Sequence, residues 1–412
     1  MARIEPFKGV RPSKELAQFV ASHPYDVLNS EEAREIVKDN NKSFLRIVKP
    51  EVDLEKGIDL YSKEVYQKAK DNFASFLKDN ILIQDENKNL YLYKQIWGDH
   101  VQVGLVAGAS AQDYQDDIIK KHELTRETKE KDRMNHIKAI NANTGPVFLT
   151  FRQRDDIDVL FAKVMEQKAE YDFTTDDGVS HIFYVISDNE LINKIRDSFK
   201  KIDYLYVADG HHRSASGTKI KIEREKANPS HTGDEEYNFF LSVIFPDNQM
   251  KILPYNRVVK DLNGNTKEEF FNKVKKSFIM TETKTKEPET TQSFCMYIDN
   301  QWYKLEAKDG SFDKNNAVGS LDVAILQNNL LDPILGIKNP RVDNNIDFIG
   351  GIRGTKELEK LVNNKKFTVA FSVFPTSIEQ LFAVADSGNI MPPKSTWFEP
   401  KLRSGLITHL LD

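Results

Sequence analysis

The spacing of apolar residues changes period repeatedly along the chain, and each change predicts an element. Residues 12–22 read as a helix with Ser13 placed to cap it. Ser30 is placed to cap a second helix, whose first turn holds Glu31 and Glu32, where acids suit the helix dipole. SFLRIVKP alternates and predicts a strand ending at Pro50. Residues 62–79 put Tyr66, Ala69, Phe73, Phe76 and Leu77 on one face of an amphipathic helix. NLYLYKQIW and HVQVGLVAGAS predict paired strands around a Gly-Asp turn. Residues 115–142 are polar and mostly helical in propensity. Beyond them, GPVFLTF, HIFYVIS, YLYVAD, FFLSVIFP and MKILPYNRVV read as strands, with helices at 188–200 and directly after Asp209. A further helix, the strands SFCMYID and QWYKLEA, and a helix from Leu321 occupy 266–330. FTVAFSVF and a helix at 376–388 come before the tail. There is no internal repeat. The mixed order predicts an α+β chain with mixed sheets and an additional smaller α/β subdomain. The boundaries read as 1–265, 266–330 and a C-terminal segment 331–412 that returns to the active site.

Composition narrows the class. Hydrophobic residues make up 39% and charged residues 29%, which allows a sizeable core. The net charge of −5 argues against general nucleic-acid binding. Cys295 is the single cysteine, so no intrachain disulfide forms, and a reducing compartment fits. No signal-peptide pattern opens the sequence, and no apolar run approaches the roughly 20 residues that span a bilayer. A cytoplasmic protein without membrane contact is expected.

Candidate chemistry gathers in three stretches. The first is VADGHHRSAS, where an apolar strand meets Asp209, Gly210, His211, His212 and Arg213 before a helix. Helix N-termini bind anions, glycine allows close backbone approach, and arginine forks onto phosphate or carboxylate. The plainer alternative makes the histidines solvated turn residues and pairs Arg213 with an acid. Either way these are expected to be turn residues with little core burial. The second is HELTRETKEKDR, where a helix would align His122, Thr125 and Lys129 and would not put Glu123, Lys129 and Arg133 on one face. A solvated charged helix is the alternative there. The third is MPPKSTWFEPKLRSGL, whose Met391, Trp397, Phe398 and Leu406 argue for a docked tail carrying Lys394, Ser395, Thr396, Lys401 and Ser404 as an oxyanion cradle. No GxxxxGK[ST], HRD…DFG or GxSxG motif is present.

These stretches resemble, over nearly the whole chain, a family carrying a DGHHR-type motif and often labelled ParB-like. PFKGVRP, PYDVLNSEEA, SFLRIVKPE, HELTRETKEKDR, ADGHHR, LPYNRVV, LDVAILQNNLLDPILGI and MPPKSTWFEPKLRSGL carry the likeness in order. It implies a ParB/sulfiredoxin-like catalytic core. Within the family the chain is most similar to kinases that phosphorylate free L-serine to O-phospho-L-serine with pyrophosphate. Such an activity would serve serine and cysteine biosynthesis. The resemblance places Asp209 to Arg213 around the transferred phosphoryl group, with one histidine and Arg213 neutralising its charge. Glu123 is assigned as the base because free serine kinases use a glutamate. His122, Thr125, Arg133 and Arg257 join the binding set. At Tyr255-Asn256-Arg257 many members read His-Arg after the proline, so no ligand role is carried to position 256.

Pyrophosphate offers no base or ribose to grip, so its site calls for Arg, Lys, His and hydroxyls with Mg²⁺, whose ligands the sequence does not specify. Arg46 or Lys49 is a candidate for the serine carboxylate. The competing classes are an ATP- or ADP-dependent serine kinase, a ParB-like nucleic-acid-binding regulator, and a non-catalytic small-molecule sensor. The acidic balance and the lack of a helix-turn-helix count against the regulator.

Overall fold

In the computed structural model, which describes residues 1–412, the longest apolar runs become central strands. Phe239–Pro246 is buried at every position and lies between Val147–Phe151, parallel to it, and His100–Ser110, antiparallel to it. A strand covered on both faces has no polar side to alternate, hence its continuous apolar run. Around it runs a mixed nine-stranded sheet. From one edge the order is Ile119–Lys120, Leu205–Asp209, Val147–Phe151, Phe239–Pro246, His100–Ser110, Leu90–Trp97, Val179–Ile186 and Tyr171–Thr174. Ile4–Glu5 pairs with His100–Ser110 off this path. The hairpin Leu90–Trp97/His100–Ser110 turns at Gly98, whose φ of 57° suits glycine. The α+β reading holds.

The chain divides into two units, 1–250 with 400–412, and 251–399. Segment 331–399 therefore belongs with 251–330 rather than forming a piece of its own. The first unit also has a four-stranded sheet ordered Leu82–Gln84, Gly9–Pro12, Thr408–Leu410, Ala142–Asn143. The second unit is built on a six-stranded antiparallel sheet, Phe278–Thr283, Gln301–Ala307, Ser293–Ile298, Val369–Val373, Tyr255–Val259 and Ile346–Gly350. Its core includes Phe270, Phe294, Ile325, Leu330 and Phe371. No helix is long and apolar enough to cross a membrane.

Several local expectations change. SFLRIVKP forms a helical turn, Leu45–Val48, followed by a 3₁₀ turn at Pro50–Asp53. Phe44, Leu45, Ile47 and Val48 are all buried and only Arg46 turns outward, a pattern a two-faced strand cannot give. The cap of the helix Ser30–Lys38 is Asn29, which forms a capping box with Glu32. Ser13 precedes a 3₁₀ turn without capping it, and its hydroxyl goes to the Asn80 carbonyl. Pro254, lacking an N–H, splits MKILPYNRVV into Lys251–Leu253 and Tyr255–Val259, in different sheets. The largest change is in 115–142. Its helix spans only Glu127–Ile140, because Ile119–Lys120 joins the sheet beside Leu205–Asp209 and runs parallel to it. His122 and Thr125 are therefore loop residues, and no helical face unites them with Lys129.

Candidate functional site

Two parallel strands that end at one sheet edge set their next residues side by side, and ligands collect at such ends. Ile119–Lys120 leads to His122 and Glu123, while Leu205–Asp209 leads to Gly210. Val147–Phe151 starts at the same edge, bringing Gly145 and Pro146 there. Gly210, at φ 98°, turns the chain from strand into the helix His211–Ala227. A Cβ on Gly210 would lie 3.3 Å from Arg213 Nε and 3.4 Å from Val147 Cα. No side chain caps this helix. The strand-to-helix corner is where the sequence placed it.

Its polar groups are buried or half-buried, contrary to expectation. His211 is 5% exposed and His122 2%. Their Nε2 atoms lie 3.4 Å apart with the rings edge to face, so one ring donates to the other. Burial pushes His211 down to about 4, and His122 falls well below its ordinary value through burial and then through His211. Both are neutral at pH 7. The standing positive charge of the corner therefore rests on other groups. His212 accepts the backbone N–H of Arg126 at Nε2 (3.1 Å) and is likewise lowered by burial, against the pull of Glu123, Glu130 and Asp26.

The cations come from elsewhere. Lys401 Nζ sits 2.9 Å from Asp209 Oδ2, so the tail does dock on the corner. Burial resists the charge on Asp209, yet Lys401 and then Arg213 outweigh it and hold its carboxyl well below the usual range. So acidic a group is a poor proton acceptor at neutral pH. Arg213 donates through Nη1 to the Pro146 carbonyl, its Nη2 is 3.8 Å from Asp26, and its buried Nε has no partner. Nδ1 of His211 is buried and unpartnered as well. Such atoms are uncommon in native folds, and these two stand beside the Asp209–Lys401 pair.

Arg213 also lines a cleft of about 430 Å³, measured to its open mouth, together with Tyr25, Arg133, Asn143, Thr144, Gly145 and Ser404. Ser404 is held by reciprocal backbone hydrogen bonds with Ser22. Arg46 and Lys49 do not belong to the site. Arg46 pairs with Asp53 and donates to the Val37 carbonyl, and Lys49 pairs with Glu51 at 3.0 Å. Thr125 donates to Glu130, which Lys219 also engages.

Arg257, Lys394, Ser395 and Thr396 belong to the second unit. There Arg257 is buried, donates to the Tyr255 and Lys394 carbonyls, and burial lowers it to about 9. Lys394 adopts a left-handed φ of 58°, its Nζ 5.3 Å from the Tyr255 ring centre. Ser395 Oγ donates to the Pro392 carbonyl, and the Ser395 carbonyl accepts from Thr376.

Sequence reasoning missed Arg403, Tyr25, Asn143, Thr144 and Gly145. Arg403 is 5% exposed and fastens the tail just past Lys401. It reaches Asp177, His23 Nδ1 (2.6 Å), His181 Nε2 (3.3 Å) and Thr175 Oγ1 (3.1 Å). Its signal was present, an arginine inside the tail motif, but nothing local tells a fastener from a ligand.

Buried neutral histidines make stability depend on pH. His23, His136 and His211 fold with pKa near 4 and His181 near 3, against about 6.5 unfolded. The unfolded chain binds more protons between those values, so their stabilisation is complete above pH 6.5 and is lost as pH falls towards 4. Burial pushes Asp322, in the second unit, up to about 7, so acid favours that unit's fold between pH 7 and 4. Hydrogen exchange at pH 7 and pH 5 is expected to show the first unit losing protection first. Equal loss in both units would contradict this.

A mixed α+β chain with a charged strand-to-helix corner is the class so defined. Residues 4–324 match the family described as a protein of unknown function, DUF1015, and the chain belongs to that family. No curated relative matches by sequence. Among solved structures, the chain is similar to a free serine kinase in complex with AMP, at 13% identity and TM-score 0.35, covering 70% of this chain and 88% of that one. It is also similar to SbnI with C-terminal truncation from Staphylococcus aureus (12%, TM-score 0.38, 74% and 87%) and to a conserved hypothetical protein from Pyrococcus furiosus (13%, TM-score 0.34, 71% and 93%). Likeness at this level carries no inference about activity.

Proposed function

We propose that the first unit, as a core of the ParB/sulfiredoxin kind, transfers a phosphoryl group from pyrophosphate to the hydroxyl of free L-serine. One observation carries this reading. Two buried polar atoms, Arg213 Nε and His211 Nδ1, stand unpartnered at an uncapped helix N-terminus beside the Asp209–Lys401 pair. Helix N–H groups, a guanidinium and a lysine together suit a compact, highly charged oxyanion, and the corner offers no nucleotide-binding motif. The sequence motifs supply the acceptor and donor.

In the reaction the serine Oγ attacks phosphorus in line. A new O–P bond forms, the bridging P–O bond of pyrophosphate breaks, and orthophosphate leaves. The Oγ proton passes to a carboxylate. Asp209 is too acidic for that task, and Glu123, which lies just beyond the neighbouring parallel strand, takes it. Asp209 positions Lys401, while neutral His211 and His212 donate hydrogen bonds. Arg213 balances charge that builds up on the transferred group.

Mg²⁺ would arrive with the diphosphate. No group of three His, Cys, Asp or Glu is arranged to hold a metal, and this ion binds through one or two carboxylates plus phosphate oxygens. Asp209 is the carboxylate of the corner that fits such a role, and the ion would neutralise the diphosphate.

³¹P NMR of the purified chain with L-serine, Mg²⁺ and pyrophosphate is expected to show phosphoserine and orthophosphate. Far better turnover with ATP or ADP would replace the donor and keep the kinase. Absence of phosphoserine with all three donors would end the reading.

A further inference from the structure

Arg133 is prepared for a ligand in a way the phosphoryl site does not use. It projects from the helix Glu127–Ile140 into the cleft and is mostly buried. Asp132 Oδ2 accepts from its Nε (3.0 Å) and Nη2 (2.8 Å), fixing one edge of the guanidinium. Asp132 is itself held at Oδ1 by the Tyr66 hydroxyl, at 2.9 Å. The Tyr25 ring covers the guanidinium at 4.0 Å. Clamped on one edge and stacked on one face, Arg133 keeps Nη1 without a protein partner.

The rest of the cleft suits a small polar acid. No carboxylate lines it. Asn143, Thr144 and Ser404 offer hydrogen bonds, Val48 and Ile137 close it with apolar surface, and His136 is engaged by the Ile47 carbonyl at 2.8 Å. Gly145 leaves open the space between Arg213 and Ser404. A Cβ there would stand 3.5 Å from Arg213 Cδ and 3.8 Å from Ser404 Oγ. Concave sites with a few convergent polar groups on a partly apolar lining are the usual setting of a small ligand. Arg213 belongs both to this cleft and to the corner, so the two are continuous through its side chain.

We propose that this cleft is the acceptor subsite and that Arg133 Nη1 takes the α-carboxylate of a free amino acid, directing its side-chain hydroxyl past Arg213 to the corner. The assignment rests on the reading that the acceptor is a free amino acid, and it excludes alcohols without a carboxylate. It also moves the carboxylate contact away from Arg46 and Lys49, neither of which lines the cleft.

Calorimetric titration of the intact chain tests this without turnover, using L-serine, ethanolamine and pyrophosphate as separate ligands. L-Serine is expected to bind and ethanolamine, which keeps the hydroxyl and amine but lacks the carboxylate, is not. Arg133→Gln should weaken L-serine by roughly tenfold to a hundredfold, the worth of a hydrogen bond between charged groups, and leave pyrophosphate affinity within about twofold. Unchanged L-serine affinity in a normally melting Arg133→Gln chain would overturn the proposal. So would loss of pyrophosphate binding with L-serine retained, which would make the cleft a phosphate site. Should Arg133→Gln fail to fold, Gly145→Ala serves instead, because its methyl meets only ordinary contacts while narrowing the cleft. Normal L-serine affinity there would also overturn the proposal. L-Serine binding without phosphoserine formation would leave this subsite standing and remove the phosphotransfer reading.

Discussion

Arg213→Ala is expected to lower kcat for phosphoserine formation by about 10² to 10³, or about 3 to 4 kcal/mol of transition-state stabilisation. The side chain sits in the first helical turn after Gly210, with its charge held towards Asp26 and Asp209 and its Nε unsatisfied. Removing it takes away the one permanent cation supplied by the DGHHR turn, since its histidines are neutral at pH 7. Arg213→Lys should recover only part of the loss, because an ammonium cannot reproduce the planar fork. His211→Ala is a less clean test, because that ring is buried against His122 and its loss also destabilises the fold. The check is kcat/KM beside a thermal melt for each variant. Near-normal turnover, or unfolding that accounts for the lost rate, would make the corner structural.

The second large effect belongs to the tail. Gly405 has φ +91°, and a Cβ there would lie 2.6 Å from Phe44 Cβ and 2.7 Å from Phe44 Cγ. Neither atom is the loose end of a flexible chain, and Phe44 is fully buried. Left-handed strain and overpacking each cost about 1 to 3 kcal/mol, so Gly405→Ala is expected to lose roughly 2 to 6 kcal/mol of stability. Gly405 is next to Ser404, which bridges to Ser22, so the same variant should loosen the seat of Arg403 and Lys401. Chemical denaturation measures the change. A loss below about 0.5 kcal/mol, the usual size for an innocuous surface change, would contradict this account.

How much could be read from the sequence depended on whether the cause was local. Leu205–Asp209 leading into a helix was legible because a buried apolar run ends in Asp-Gly, and only glycine tolerates the turn at Gly210. The hairpin at Gly98 and the face of Lys63–Lys78 were legible for the same reason. The short strand Ile119–Lys120 was not, because its partner Leu205 lies far along the chain and its two residues sit in a polar stretch that reads mostly as helix. In the site, the residue types of the corner were legible and their charge states were not. Neutrality of His211 comes from burial against His122, and the acidity of Asp209 comes from Lys401, which only folding brings near. Arg46 and Lys49 looked available because the acids that match them, Asp53 and Glu51, read as ordinary loop residues.

Thr408–Leu410 lies between Gly9–Pro12 and Ala142–Asn143, with the whole of 251–399 coming earlier in the sequence. Translation therefore sets an order of assembly. A nascent chain that has reached residue 399 holds every residue of the second unit, yet its first unit lacks an inner strand, the Arg403 fastening and the lysine that meets Asp209. The second unit can mature while the first waits, and the corner is completed only once residues 400–412 have been made. A ribosome stalled at that point would display an unfilled slot between two strands, open to pairing with a foreign chain.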